Sequence, residues 1–358
     1  MTKVYVRFLI SEYLKSFLTI TLVFFCLVFI LNLLTEVEFF KDINVGSFFI
    51  LYVSFINSPS LVFEMFPFIF LISTQVFFIN LFKDNQIQIF KYSGLKNSKI
   101  LKIVVLSSFF MGLLIITLFY NISSNLKNIY LELKNTYTSD NKYLAVITNN
   151  GLWIKDNLNN KTNIINASKI ENTFLLDASI TEFDENFDVL RHIESKKIDI
   201  SNNNWLIISP VVHKGNDKIN FNSISFYSNF DYERIQSLFS NLSSLSLLQL
   251  FNLKENYTLL NLSTTEVNIQ IYKLFTWPIY LALMTILASM IMFNTKRFKS
   301  NTLKISIGLF FSVLIYYINN FFNVMGGTEK ISVSSSIFLP IIILMIINLF
   351  YNRKINEK

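Results

Sequence analysis

Long apolar runs lie towards the two ends of the chain, and a polar stretch separates them. A helix needs about 20 apolar residues to cross a bilayer. We predict six membrane-spanning helices, at about Ser16–Leu34, Leu61–Phe82, Ile100–Tyr120, Leu274–Phe293, Leu303–Val324 and Ser334–Phe350. Pro59 and Pro67 interrupt the second apolar stretch, and proline breaks or kinks helices. Its first part, Phe48–Ile56, is therefore predicted to be a separate short helix.

The polar stretch between the third and fourth spans predicts an all-β domain. Its short alternating runs are separated by turn-forming clusters such as Asn149-Asn150-Gly151, a pattern typical of an antiparallel sandwich or roll. The predicted strands are Tyr143–Thr148, Leu152–Lys155, Asn163–Ala167, Thr173–Phe183, Val189–Ile200, Trp205–Val212 and Ile219–Phe226. The predicted organisation is three transmembrane helices in 1–120, the β domain in 121–272 and three further helices in 273–358.

The positions of Lys and Arg predict the orientation in the membrane. Basic residues gather at the N-terminus, in the loop 83–102, in the loop 296–304 and in the C-terminal tail, whereas the other short loops are acidic or nearly uncharged. The positive-inside rule then places both termini in the cytoplasm and the β domain outside it. The net charge of +7 comes mainly from these short segments, which favours a membrane and not nucleic acid as the partner. We expect a multi-pass protein of the bacterial inner membrane.

The sequence carries no pattern typical of an enzyme or a metal site. There are eight glycines and no G-x-x-x-x-G-K-[ST] loop to hold nucleotide phosphates. The two histidines, His192 and His213, lie outside any ligand spacing and are expected on polar strand faces. The single cysteine, Cys26, excludes an internal disulfide. We therefore expect no catalytic residues, metal or bound cofactor in this chain.

Polar residues within the predicted spans are candidates for function. Glu64 lies between the two prolines of the second stretch, and a carboxylate near lipid either faces a cavity or a partner or reaches the outer interface. Asn319, Asn320 and Asn323 lie in the outer half of the fifth span, where we expect them to hydrogen-bond between helices.

Four short strings, in this order and spacing, resemble the lipopolysaccharide-export permease family LptF/LptG. They are Pro59-x4-Glu64-x2-Pro67, Asn85–Gly94, Gly151–Asp156, and Trp277-Pro278 followed by Lys296-Arg297. The third string is similar to the start of the outer domain in LptG-type members and favours LptG over LptF. Two departures concern Gln86, where family members usually have Glu, and Thr35-Glu36, where LptG-type members often have Lys; Lys41 lies nearby and is a candidate substitute.

The resemblance implies a half-permease that extracts lipopolysaccharide from the inner membrane towards a periplasmic bridge. The implied fold is six transmembrane helices with an inserted periplasmic β-jellyroll. The implied partners are an LptB-type ATPase dimer, which uses ATP, a second half-permease of LptF type, and an LptC-type single-span protein. The alternative is a permease or scaffold subunit of another ABC-type lipid or lipoprotein export complex, although such permeases typically have four spans.

Two candidate sites follow from the resemblance together with the local pattern. The loop 83–99 is predicted to form a short helix that docks on the ATPase through Ile87 and Phe90, which share a helix face, and that ends at Gly94. The coupling residues are predicted to be Asp84, Gln86, Ile87, Phe90, Lys91 and Gly94. The lipid-cavity or gate residues are predicted to be Thr35, Glu38, Lys41, Glu64, Asn320 and Phe321.

Two further expectations concern charge and the β-domain core. Lys41 is the cation expected near the first span, so most of the positive charge for an anionic headgroup should come from the partner half-permease. Trp153, which lies in the third string, is predicted to lie in the core of the β domain.

Overall fold

The chain forms two compact units, Met1–Tyr130 with Thr265–Lys358, and Leu131–Thr264. The structure is a computed structural model and describes residues 4–41, 43–83, 85–137, 152–158, 161–171, 173–185, 187–215, 217–232, 235, 241–259, 263–293 and 300–356. The predicted strand Tyr143–Thr148 and the candidate residue Asp84 lie outside these residues. The inserted unit is shorter than the predicted 121–272 because the helices on either side of it extend further than the apolar runs.

Nine α-helices are present in the described part of the chain. They are α1 (Val4–Phe39), α2 (Ser47–Lys83), α3 (Gln86–Tyr92), α4 (Asn97–Leu114), α5 (Asn121–Asn135), α6 (Leu247–Leu259), α7 (Thr265–Phe293), α8 (Asn301–Gly327) and α9 (Val333–Asn356). A π-helical turn, Ile115–Tyr120, joins α4 to α5, so these elements form one continuous helical rod.

Within the described residues, five helices are long and apolar enough to cross a membrane. They are Val4–Phe39, Ser47–Lys83, Asn97–Lys134, Thr265–Phe293 and Asn301–Gly327. The apolar part of α9, Val333–Leu349, is shorter. Five of the six predicted spans therefore coincide with membrane-length helices, and the sixth remains a prediction. The helix α1 has 36 residues, which at 1.5 Å per residue is about 54 Å and exceeds the roughly 30 Å thickness of a bilayer core.

The helix α2 continues without a break through Pro59 and Pro67. The prediction of a separate short helix at Phe48–Ile56 is therefore wrong. Each proline removes one backbone hydrogen bond, and in a packed helix neighbouring helices and serine hydroxyls can compensate for that loss. Here α2 packs on α1, α7 and α8.

Buried amides join α1 to α2. The Asn32 Nδ2 donates to the carbonyl of Ser54 at 2.9 Å, and the Asn57 Nδ2 donates to the Asn32 Oδ1 at 3.0 Å. All three residues are buried. Such interhelical hydrogen bonds hold helices together where the surroundings supply no other polar partner.

The helices of this unit differ strongly in burial. Most of α2 and α7 is buried, and these two helices form its centre. The helices α1 and α8 both pack on α2 and leave apolar faces exposed. The large side chains on these faces include Leu18, Leu22, Leu27, Ile30 and Leu34 in α1, and Phe310, Leu314, Tyr317, Phe321 and Val324 in α8.

The inserted unit contains one eight-stranded antiparallel sheet, which confirms the predicted antiparallel β region. Its strands are β1 (Leu152–Leu158), β2 (Lys161–Glu171), β3 (Phe174–Phe183), β4 (Val189–Asp199), β5 (Asn204–Ile208), β6 (Val211–Lys214), β7 (Asp217–Asn220) and β8 (Ser223–Tyr227). The order is β1-β2-β3-β4-β5-β8, and β6 pairs with both β4 and β7. The predicted strand Trp205–Val212 is divided by a turn in which Ser209 has a φ of 49°.

The core of the sheet contains Trp205 and not Trp153. The Trp205 side chain is fully buried, and its Nε1 donates to the carbonyl of Phe230 at 2.6 Å. The Trp153 side chain is 60% exposed, so the prediction that it lies in the core is wrong. Neighbouring residues of a strand face opposite sides, and in β1 Leu152, Ile154 and Asp156 face the buried side.

Candidate functional site

The helix α3 is a short element between α2 and α4, and its end is well defined. The N–H of Leu95 donates to the carbonyl of Phe90 at 2.8 Å, and the N–H of Gly94 donates to the carbonyl of Lys91 at 3.0 Å. These two bonds form a Schellman motif, in which the residue after the helix adopts a left-handed conformation. Gly94 has a φ of 78°. The short helix and its glycine stop are therefore present where the sequence predicts them.

The predicted docking face of α3 is turned towards the chain itself. Ile87 is 4% exposed and belongs to a hydrophobic cluster with residues of α1, α2, α4 and α7. Phe90 packs against the same cluster, and its ring centroid lies 6.1 Å from that of Phe8 in α1. The structure therefore corrects the prediction for Ile87, which the membrane unit buries, whereas docking through Phe90, which is only partly buried, stays a prediction.

A different pair of large side chains projects from α3. Ile89 is 62% exposed and Tyr92 is 89% exposed. They are three positions apart, so they are neighbours on the helix surface. Lys91 is exposed beside them, and Gln86, at the start of the helix, is partly buried. If α3 binds a partner, Ile89 and Tyr92 provide the apolar contact.

Stacked aromatic rings bring three parts of the membrane unit together near Glu64. The ring of Phe63 in α2 lies parallel to that of Trp277 in α7, with centroids 5.4 Å apart and an interplanar angle of 16°. The same Phe63 ring lies 5.0 Å from the ring of Tyr120, the last residue of the π-helical turn. Glu64 follows directly after Phe63 and is exposed.

One lysine lies over this aromatic group, and a second lies further along the helix that carries Tyr120. Lys273 precedes Trp277 by one helical turn, and its Nζ lies over the Trp277 ring, 5.4 Å from the centroid. Lys127 follows Tyr120 by seven residues, which is about two helical turns and places it on the same side of its helix. Glu64, Lys127 and Lys273 lie near enough for their charges to act on one another, although no hydrogen bond or ion pair joins Glu64 to either lysine. We call Glu64, Lys127 and Lys273 the charged cluster.

Lys127 and Lys273 add two cations near Glu64, and the expectation that Lys41 is the cation near the first span stays a prediction. Lys127 and Lys273 come from helices that are far apart in sequence, and the boundaries predicted from hydropathy placed Lys127 in the outer domain and Lys273 at its edge. The spacing of four residues between Lys273 and Trp277 is a signal in the sequence that these two side chains are neighbours, because residues four apart lie on the same side of a helix.

The remaining predicted cavity residues lie at the end of α1 and in α8. Thr35, Glu38 and Lys41 are exposed at the end of α1 and just after it. Asn320 and Phe321 are exposed in α8.

Thr35-Glu36 stands where LptG-type members often have Lys, and the structure shows what Glu36 does at that place. Glu36 is only 1% exposed, and its Oε1 accepts a hydrogen bond from the Tyr130 hydroxyl at 2.8 Å. A buried carboxylate needs such partners, because charge is costly to remove from water. Glu36 therefore links the end of α1 to α5, a role that sequence reasoning missed.

The two histidines lie opposite each other on β4 and β6. The His192 Nδ1 lies 2.8 Å from the Thr181 Oγ1, and the His192 Nε2 lies 3.2 Å from the Glu194 Oε1. Among the residues that the structure describes, no group of three or more His, Cys, Asp or Glu side chains could hold a metal ion. Both histidines are on strands, as the sequence predicts.

Comparison with known proteins identifies the family of the chain. Residues 7–354 match the family described as lipopolysaccharide export system permease LptF/LptG. The match covers nearly the whole chain and does not distinguish LptG from LptF. Among curated proteins, none matches the sequence. The chain belongs to the LptF/LptG family of lipopolysaccharide export permeases.

Proposed function

We propose that the chain is a half-permease of an ABC-type lipopolysaccharide export complex in the bacterial inner membrane. The observation that carries this proposal is Lys273, whose Nζ lies over the Trp277 ring within a unit of membrane-length apolar helices. Such a site suits an amphiphile whose apolar part contacts the helices and whose anionic headgroup contacts lysine. Lipopolysaccharide has both parts, with acyl chains and phosphates in its lipid anchor.

The second half-permease and the lipid contact the exposed apolar faces of α1 and α8 in this proposal. These helices carry the predicted gate residues Thr35 and Phe321 at exposed positions. The string Gly151–Asp156 favours an LptG-type chain with an LptF-type partner. An LptC-type single-span protein completes the membrane part of the proposed complex.

The helix α3 is the proposed contact to an LptB-type ATPase dimer. Its exposed Ile89 and Tyr92 suit an apolar groove on that partner, while the buried Ile87 and the partly buried Phe90 fix α3 to the membrane unit. ATP is hydrolysed in the partner in this proposal, so the chain itself needs no cofactor.

The proposed orientation places both termini in the cytoplasm and the β domain in the periplasm. Accessibility tags at Asn301 and at the C-terminus should report the cytoplasm, and a tag at Asn160 should report the periplasm. A cytoplasmic signal from the tag at Asn160 would contradict this orientation and would place the β domain on the wrong side for export.

Photo-crosslinking tests the substrate directly. A photoreactive residue at Thr35 or at Phe321, in the complex within its native membrane, should capture lipopolysaccharide. A photoreactive residue at Lys83 serves as the control and should not capture lipopolysaccharide. Lys83 is the last residue of α2, and the other end of that helix is the one that follows α1. If Thr35 and Phe321 capture only ordinary phospholipid, the assigned substrate is wrong.

A further inference from the structure

A cavity of about 740 Å³ opens in the β sheet of the inserted unit. Its walls come from β3, β4 and the ends of β5 and β6 with the turn between them. The charged and polar side chains on these walls include Asp177, His192, Glu194, Lys196, Lys197 and Ser209. Small-molecule sites usually have volumes of about 300–1,000 Å³. The cavity is therefore large enough for a ligand, and the proposed function makes no use of it.

Two residues in the left-handed conformation interrupt the sheet at this place. Asp177 in β3 has a φ of 44°, and Ser209 in the turn after β5 has a φ of 49°. The pairing of β3 with β4 skips Asp177, although the residues before and after it are paired. On its other side, β4 pairs with β6 up to Glu194 and with β5 from Lys197, so the two residues between them are left out of both ladders. Positive φ values are uncommon outside glycine, and such strained residues cluster at functional sites.

Opposite charges line the cavity without pairing with one another across β3 and β4. The register places Asp177 across from Lys196, and the Asp177 Oδ2 lies 3.5 Å from the Ser168 Oγ. Within the described residues, the ion pairs of this sheet are Lys169–Glu171, Arg191–Glu182 and His192–Glu194. Asp177 and Lys196 therefore form no ion pair with each other and can both contact a ligand.

The lining combines acceptors, donors and a small apolar wall. Carboxylates only accept hydrogen bonds and lysine ammonium groups only donate them, so a ligand that uses both must itself donate and accept. The cavity has two carboxylates and two lysines, and these balanced charges give no advantage to a strongly charged ligand. Ala178, Ile208 and Val211 form the apolar wall. Sugars match this lining, because each hydroxyl both donates and accepts and the C–H face of the ring is apolar.

A polypeptide suits the cavity less well than a sugar. Partner proteins anchor through large side chains in apolar pockets, or they add a strand to the edge of a sheet. Among the described residues, no Phe, Tyr or Trp lines the cavity. The strands β3 and β4 also lie inside the sheet, with a neighbouring strand on each side.

We propose that this cavity is a saccharide-binding site that takes a unit of the sugar chain of lipopolysaccharide. The saccharide class follows from the lining, and the source of the sugar rests on the proposed function. All lining residues belong to the inserted unit. Binding of the sugar therefore needs no lipid anchor, and the site acts on a part of the substrate that the membrane helices do not contact.

The test uses the oligosaccharide released from lipopolysaccharide by removal of its lipid anchor. Calorimetry measures its binding to the purified full-length protein in detergent micelles. We expect Lys196→Gln and Asp177→Asn each to weaken binding about tenfold, since each removes a charged hydrogen bond. Asparagine tolerates the left-handed conformation, so Asp177→Asn keeps the backbone. The matched controls are Lys218→Gln and Asp188→Asn, which change exposed residues outside the cavity and should leave binding unchanged.

A glucan of the same length is the comparison ligand, and we expect it to bind more weakly than the oligosaccharide. Equal binding of the glucan would overturn the assignment to lipopolysaccharide. Unchanged oligosaccharide binding by Lys196→Gln and Asp177→Asn would overturn the site. If Asp177→Asn lowers the melting temperature, Lys196→Gln alone decides, because Lys196 is exposed.

Binding of complete lipopolysaccharide separates this inference from the proposed function. A wild-type protein that binds lipopolysaccharide but not its oligosaccharide would overturn the inference and leave the proposed function intact. Failure of the complete complex to bind lipopolysaccharide would instead contradict the proposed function, and oligosaccharide binding that depends on Lys196 would still support a saccharide site.

Discussion

The ring of Phe90 in α3 lies against the ring of Phe8 in α1, with centroids 6.1 Å apart and planes inclined by 58°. Phe8 and Phe90 both pack against the hydrophobic cluster that contains Leu9, Phe78 and Ile87. Aromatic pairs in this arrangement attract each other beyond the area that they bury. A displacement of α3 by a partner would therefore be transmitted to α1, which is one of the two helices with an exposed apolar face.

The first prediction concerns the exposed face of α3. Ile89→Ser should weaken binding of the ATPase partner by about 10- to 150-fold, because loss of a buried isoleucine contact is worth about 1.5–3 kcal/mol. Ile87→Ser should instead lower the yield of folded protein, since Ile87 is buried within the chain itself. Affinity of the purified permease for the ATPase, together with its melting temperature, separates the two effects. Normal ATPase binding by Ile89→Ser would show that α3 docks through another face.

The second prediction concerns the end of α3. Gly94 has a φ of 78° and has no atom within 4 Å of the position that a Cβ would take. Gly94→Ala therefore meets no steric obstacle and should be unfavourable by about 1 kcal/mol through backbone strain alone. Gly46 also has space for a Cβ and lacks a positive φ, so Gly46→Ala is the control and should leave the melting temperature unchanged. Equal melting temperatures for both variants would contradict the left-handed stop.

The third prediction concerns the contact between α2 and α8. The Gln75 Nε2 donates to the carbonyl of Lys304 at 2.8 Å, and a Cβ at Gly308 would lie 2.3 Å from that nitrogen. Gly308→Ala should displace the Gln75 amide and destabilise the membrane unit by about 1–3 kcal/mol. Gly327 at the end of α8 has open space around it, and Gly327→Ala should be neutral. The comparison is a thermal unfolding measurement, and a neutral Gly308→Ala would show that α8 does not pack this closely on α2.

The fourth prediction concerns a buried aspartate in the β domain. Asp156 is fully buried, and it accepts hydrogen bonds from the Ser228 Oγ at 2.8 Å and from the Asn229 Nδ2 at 2.8 Å. Asp156→Ala should destabilise the domain by about 2–4 kcal/mol, because it leaves donors without their charged acceptor. Trp205→Ala should be comparably severe because it leaves a large cavity.

Substitution of the exposed Trp153 provides the control for the β domain. Trp153→Ala should change stability by about 1 kcal/mol or less. Limited proteolysis of the full-length protein measures all three variants, with faster cleavage of the β domain expected for Asp156→Ala and Trp205→Ala. Equally fast cleavage of Trp153→Ala would indicate that Trp153 stabilises the domain after all.

The sequence predicts those features that depend on local chemistry. Hydropathy locates the long helices, alternation locates most of the strands, and Gly94 marks the end of α3. These signals are local because side-chain periodicity and the freedom of glycine do not require knowledge of the rest of the fold.

Features that depend on packing were predicted poorly. The helix α3 is apolar at Ile87, Ile89, Phe90 and Tyr92, so periodicity alone cannot decide which side faces the chain. The continuity of α2 depends on neighbouring helices that compensate for Pro59 and Pro67. Likewise, Lys127 and Lys273 come together only through tertiary structure, and the pattern around each of them resembles an ordinary helix end.

The central claim is that the lysine pair of this chain takes up the anionic headgroup of lipopolysaccharide for export. The most direct measurement is ATP-driven release of lipopolysaccharide from proteoliposomes that contain the complete complex. With Lys127→Gln and Lys273→Gln combined, we expect release to fall about tenfold or more, since a charged hydrogen bond contributes about 1.5–3 kcal/mol. ATPase binding through α3 should be retained in that variant. Release at the wild-type rate from the double variant, with the complex intact, would contradict the account.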